Sequence, residues 1–128
     1  MSFKGAGAVT SKGRGDAAED HALAHLQSQG LVLVERNYRV ARGPSARGGE
    51  IDLVMRDRGT LVFVEVRSRA SGRHGGAAAS VTAVKQARLV RTAQHYLMRF
   101  ATLPACRFDV VCVEPGGIEW IRAAFDAG

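Results

Sequence analysis

The stretch Leu61-Val62-Phe63-Val64-Glu65-Val66-Arg67 limits most what this chain can become. Side chains on a strand alternate between its two faces. Leu61, Phe63, Glu65 and Arg67 therefore share one face, and Val62, Val64 and Val66 share the other. Such a strand begins apolar on both faces and turns charged only at its end. A strand exposed on one side would alternate throughout. This pattern asks for a sheet with helices packed on it.

The neighbouring segments supply the rest. Glu50–Met55 reads as a partner strand, with Glu50, Asp52 and Val54 on one face and Ile51, Leu53 and Met55 on the other. Arg56–Thr60 joins the two strands, and its Asp57, Arg58 and Gly59 suit a hairpin turn. Upstream, Asp16 can cap a helix that runs to Gln29, with Gly30 ending it and Ala22, Leu23 and Leu26 as its apolar face. Leu31–Val40 is a further strand, and Ala41–Gly48 a loop. Downstream, Ala70–Ala79 is a second loop, after which Ser80 can cap a long helix to about Phe100. The expected buried stripe of that helix is Val84, Ala87, Val90, Ala93 and Leu97. Pro104 follows, then a strand at Arg107–Val113, a turn at Pro115–Gly117 and a short strand at Ile118–Ile121. The order α-β-β-β-α-β-β predicts an α/β or α+β domain with a central mixed sheet flanked by helices. A chain of 128 residues fits one such domain. We place it at residues 16–128, behind a loose basic arm at 1–15.

A net charge of +6 and a pI near 10.1 suit a polyanionic partner such as nucleic acid, or solubility alone. Cys106 and Cys112 fall around one strand and cannot reach each other as a disulfide. That makes a reducing cytoplasm the simplest setting. No apolar run approaches the roughly 18 residues of a membrane span, and Met1–Gly15 lacks the apolar core of a signal peptide.

Asp52 and Glu65 stand on adjacent strands of one hairpin. Facing the same way, they would bring two carboxylates together. Mg²⁺ (or Mn²⁺) takes one or two carboxylates with waters and substrate phosphate. The backbone carbonyl of Val66 can add a third oxygen. An ion held this way activates water and offsets charge on a phosphodiester. The plain alternative is that the carboxylates pair with Arg67 or another base.

Gly49-Glu50-Ile51-Asp52-Leu53 followed by Val62-Phe63-Val64-Glu65-Val66-Arg67-Ser68-Arg69 resembles the Asp…Glu-x-Lys signature of the PD-(D/E)XK nucleases. Gly15-Asp16-Ala17-Ala18-Glu19, Gly75–Thr82, Lys85-Gln86 and Cys106–Val111 narrow the resemblance to the bacterial YraN family. It covers nearly the whole chain from Gly13 onward. It implies a restriction-endonuclease-like core, similar to that of archaeal Holliday junction resolvases, and a metal-dependent nuclease acting on DNA, branched DNA included. By the same resemblance Asp52 and Glu65 are metal ligands, and Glu19 on the first helix assists them. Glu19 lies on the inward side of that helix, near Ala22, Leu23 and Leu26. A first-turn glutamate favouring the helix dipole reads equally well.

The chain departs from the superfamily at Arg67, where the pattern has lysine. An arginine keeps its proton and cannot act as a general base, although it can orient water or stabilise phosphate charge. Lys85, early in the second helix, is a candidate replacement, and Glu50 a candidate partner for Arg67. This departure keeps a second reading open, a binding module that grips nucleic acid without cutting it.

Lys85, Arg88, Arg91, His95 and Arg99 recur at helical spacing opposite the expected apolar stripe, either as a phosphate-tracking face or as an ordinary solvated one. Arg69 and Arg73, with Arg42, Arg47 and His74, would flank a bound backbone. His21 and His25 have a zinc-compatible spacing, but no glutamate lies between them and no cysteine nearby supports a zinc site. Trp120 and Tyr96 fit packing better than base stacking. A two-fold homodimer would suit a junction-like substrate, by analogy.

Overall fold

The chain is described here from a computed structural model, which covers residues 11–43, 48–69 and 81–127, with side chains from Asp16 onward. Arg47, Arg73, His74 and Ser80 lie outside the described residues. The elements are α1 (Ser11–Ser28), β1 (Val32–Val40), β2 (Gly49–Asp57), β3 (Thr60–Ser68), α2 (Ala83–Leu97), β4 (Cys106–Glu114) and β5 (Gly117–Phe125). The strands form one sheet in chain order, β1-β2-β3-β4-β5. All neighbours are antiparallel except β3 and β4, which run parallel with α2 as the crossover between them. This is the α+β arrangement that the pattern of segments predicts.

β3 is central and covered on both sides. Leu61 and Phe63 enter a core shared with Leu89, Ala93 and Tyr96 of α2. Val62 and Val64 enter a second core with Ala22 and Leu26 of α1. Burying each such side chain fully contributes about 1.5–3 kcal/mol. α1 ends as predicted at Gly30, whose φ is 99°. Leu31 N–H donates to the Leu26 carbonyl (3.1 Å) and Gly30 N–H to that of Gln27 (3.0 Å). Leu31 and Leu26 then meet in the same core, completing a Schellman ending.

Several boundaries differ from the sequence reading. α1 begins at Ser11, so Asp16 is an interior helical residue and not its cap. The helix thus runs into the segment read as an arm. Thr82 caps α2, accepting from the Lys85 N–H at 3.2 Å. The buried stripe of α2 is Leu89, Thr92, Ala93 and Tyr96. Val84 is 70% exposed, Ala87 is exposed as well, and Val90 and Leu97 only flank the core. The helix is turned this way because Tyr96 fills the core edge-on against Tyr38 and Phe63. Thr92 lies where β2 passes closest: a Cβ on Gly49 would fall on its side chain.

β5 is longer than the short strand expected. The pairing of β4 with β5 shifts register between Phe108 and Val110, and the fully buried Asp109 bridges the irregularity. It accepts from the Ala123 N–H at 2.9 Å and from Trp120 Nε1 at 3.0 Å. Arg107 Nε meets the same carboxylate at 3.0 Å, and Arg107 also pairs with Asp57 at 3.0 Å. Trp120 and the buried Tyr96 are therefore engaged in packing. Cys106 and Cys112 are both free thiols on β4. Among the described residues, no helix is long and apolar enough to cross a membrane.

Candidate metal-ion and phosphate site

The strict alternation expected on β2 fails at the place where the chemistry is expected. Ile51 and Val54 share the core under α2, while Leu53 and Met55 share the core under α1. The inside–outside order is thus interrupted between Ile51 and Leu53, and Asp52 sits in the interruption. Two neighbours break at the same level. The β2–β3 ladder stops at Leu53↔Val64, so the next position along would set Asp52 opposite Glu65. Across β1, Asn37 has a φ of 58°.

Where the backbone ladder has stopped, the Asp52 side chain takes over. Its Oδ2 accepts from the Val66 N–H at 2.8 Å. Burial, and next the charge of Glu65, push the Asp52 carboxyl up to about 8 from its ordinary 3.8; Glu19 and Glu50 add to the rise, and the Val66 N–H opposes it. Among the described residues, no lysine or arginine pairs with Asp52.

Glu65 is 5% exposed. Its Oε2 lies 3.3 Å from Arg67 Nη1 and 3.6 Å from Lys85 Nζ. Lys85 reaches it because of the turn of α2. Stepping from Leu89 one turn toward the N-terminus leads to Lys85, so the lysine continues the buried stripe. The expectation that it lies opposite that stripe is corrected. Glu50 does not meet Arg67; it lies 3.5 Å from Arg39 Nε. Glu19 is held at 3.4 Å by Arg36 Nε, and Arg36 also pairs with Asp20 at 2.6 Å.

Asp52, Glu65, Arg67 and Lys85 thus come together, with Val66 joined to them through its N–H. Glu19 stands alongside, in a separate ion pair. Arg69 is engaged with Glu114 at 2.6 Å and Glu119 at 3.7 Å. Arg88 and Arg91 are exposed on α2. Arg91 lines a shallow cavity against Asp126 and Ala127, about 120° round the helix from Lys85. His95 and Arg99 are exposed too, but His95 is bound to the Tyr38 hydroxyl at 2.6 Å and Arg99 lies over the Tyr96 ring. His25 packs edge-on to Trp120.

Among the described residues, no three His, Cys, Asp or Glu groups stand close enough to hold an ion unaided. The donor set still suits Mg²⁺ or Mn²⁺, which need only one or two carboxylates when waters and a phosphate complete the shell. Asp52, which pairs with no cation among the described residues, is a largely buried acid beside the second acid Glu65. A divalent ion would displace the proton that burial and the charge of Glu65 keep on Asp52. Arg67 and Lys85, each about one-third exposed at 34% and 37%, have donors left over for an incoming anion. Asn37 went unnoticed in the sequence. The available signal was an asparagine in mid-strand, since that residue tolerates positive φ better than most.

The family model described as "Uncharacterised protein family UPF0102" matches residues 18–113. A UPF0102 protein of Methylibium petroleiphilum is 69% identical over 120 residues, covering 93% of this chain and 98% of that one. One from Paracidovorax citrulli is 58% identical over 121 residues, covering 94% and 87%. The crystal structure of SSO0001 overlays with a TM-score of 0.43 at 18% identity; the match covers 88% of this chain and 52%, about half, of that one.

Proposed function

This chain belongs to the uncharacterised family UPF0102, and we propose that it is a Mg²⁺- or Mn²⁺-dependent endonuclease acting on DNA phosphodiester bonds, branched DNA included. The observation that carries this reading is the pairing of Asp52 with Glu65 where β2 and β3 part, with Lys85 and Arg67 on the Glu65 side. Asp52, Glu65 and the Val66 carbonyl would hold the ion, which supplies Lewis acidity toward water and phosphate.

The protein's own groups do the rest. Lys85 Nζ and the Arg67 guanidinium are placed to receive a phosphate oxygen and hold it beside Glu65. Two cations on one acid leave each able to turn toward a substrate without losing a partner altogether. The Val66 N–H keeps Asp52 oriented. Glu19 assists from α1, and exposed Arg88 would follow the nucleic-acid backbone beyond the site, with Arg91 and Arg69 as more distant contacts; Arg73, outside the described residues, is a further candidate contact.

Arginine at position 67 favours a second reading, a nuclease scaffold that binds DNA without cleaving it. One assay separates the two. Single-stranded, duplex, flap and four-way DNA are incubated with Mg²⁺ or Mn²⁺, with Asp52→Ala as control. Cleavage that the control loses supports the enzyme. Tight binding with no cleavage on any substrate moves the conclusion to the binder.

A further inference from the structure

Asn37 lies in the middle of β1 with a φ of 58°. Few residues other than glycine enter this region readily, and asparagine is one of them. Its neighbours Arg36 and Tyr38 pair with Leu53 and Ile51, which sets Asn37 opposite Asp52. With the amide turned so that its nitrogen, not its oxygen, faces the two acids, the orientation that satisfies both groups, it donates to Glu50 Oε2 at 3.0 Å and to Glu19 Oε1 at 3.2 Å. One side chain thus joins α1 to β2. Each carboxylate has a second restraint, Arg36 for Glu19 and Arg39 for Glu50. Both charges are felt at Asp52. A threonine or valine would suit a strand better at this point. The strand instead carries an unfavourable backbone conformation, and what it obtains there is an amide aimed at two acids.

We propose that Asn37 is a positioning residue for the cation site: its amide fixes the Glu19 and Glu50 carboxylates beside Asp52, where they face the hydration shell of a divalent ion. This rests on the reading that Asp52 and Glu65 bind such an ion. Partners that orient groups around a metal site typically govern tenfold to a hundredfold in affinity. Glycine at position 37 accepts the same backbone and removes only the amide, so Asn37→Gly separates positioning from folding.

The test is calorimetry of the full chain with Mn²⁺ alone, paired with thermal melts in EDTA. Asn37→Gly should bind Mn²⁺ about tenfold or more weakly than wild type, with a melting temperature equal or higher. On a Glu19→Gln/Glu50→Gln background, Asn37→Gly should cause no further loss, because the amide acts through those two acids. Equal affinity for wild type and Asn37→Gly overturns the proposal while leaving the Asp52–Glu65 site standing. A full tenfold loss on the double-glutamine background also overturns it, as does a lowered melting temperature that tracks the lost binding. Absence of Mn²⁺ binding by wild type overturns both this proposal and the site.

Discussion

Replacing Asp52 by asparagine should abolish a pH dependence of stability that wild type shows between about pH 4 and pH 8. The Asp52 carboxyl is raised from 3.8 to about 8, chiefly by burial and then by the charge of Glu65. Over that interval the folded chain keeps a proton that the unfolded chain has released. Stability is therefore greatest below about pH 4 and falls as pH rises through the folded value. One proton is worth about 1.4 kcal/mol per pH unit, so the interval sets a ceiling on the order of 5 kcal/mol. The side-chain amide of the variant would still offer an oxygen to the Val66 N–H at the place where Asp52 accepts now. Urea denaturation in EDTA from pH 4 to pH 9 measures the effect, and the wild-type-minus-Asp52→Asn difference cancels the other titrating groups. The mutant should gain on wild type steadily up to about pH 8. Mn²⁺ affinity should move the opposite way in wild type, rising up to tenfold per pH unit as the proton to be displaced is lost. Two stability curves that stay parallel from pH 4 to pH 9 would refute the account of Asp52.

Glu65→Ala and Asp52→Ala should each weaken Mn²⁺ binding strongly in calorimetry, and binding equal to wild type in both would remove the site. Lys85→Ala and Arg67→Ala should each slow single-turnover cleavage by roughly a hundredfold or more, whereas Arg67→Lys should keep or raise it; an unaffected Lys85→Ala would detach that lysine from the chemistry. Gly49→Ala should destabilise by about 1–3 kcal/mol in urea melts, because its new methyl group meets Thr92, and Thr92→Ala should recover most of that loss. DNA affinity should fall linearly on a log–log plot against salt, and Lys85→Ala/Arg88→Ala/Arg91→Ala should flatten the slope; an unchanged slope would locate binding elsewhere.

The features that could be read from the sequence are those that a local rule decides. The β2–β3 hairpin with Asp52 and Glu65 follows from alternation and a turn. The end of α1 follows from one glycine after an apolar helix face. Features that depend on two elements meeting were out of reach. Apolar residue types alone pointed to Val84 and Ala87 as the buried side of α2. The close passage of Gly49 under Thr92 and the aromatic packing of Tyr96 turn the helix instead, and that turn delivers Lys85 to Glu65. The broken alternation at Asp52 goes with a left-handed residue on a different strand, which no periodicity within β2 can reveal. The extension of β5 past Ile121 needs Asp109 to bridge a register shift, and a lone aspartate among valines does not announce its partners. Arg69 fell within a plausible basic loop, but the ion pairs it makes on β4 and β5 come from strands some 45 residues further on.

The single parallel ladder, β3 against β4, gives the site a history as well as a shape. Everything from β1 to β3 is a meander of consecutive antiparallel strands, the kind of pairing whose short loops close early. Asp52, Glu65 and Asn37 all belong to that first part. Lys85 belongs to the crossover, whose packing against the sheet is completed only when β4 docks beside β3. A nascent or partly opened chain would hold the acids together before the lysine arrived, leaving Glu65 with Arg67 alone. The Asp52 carboxyl keeps its proton below about pH 8 in the folded chain, and a cation bound there would take that proton's place. An ion and the Lys85 ammonium are both drawn to Glu65, so assembly of the sheet and loading of the site would be linked through that one carboxylate.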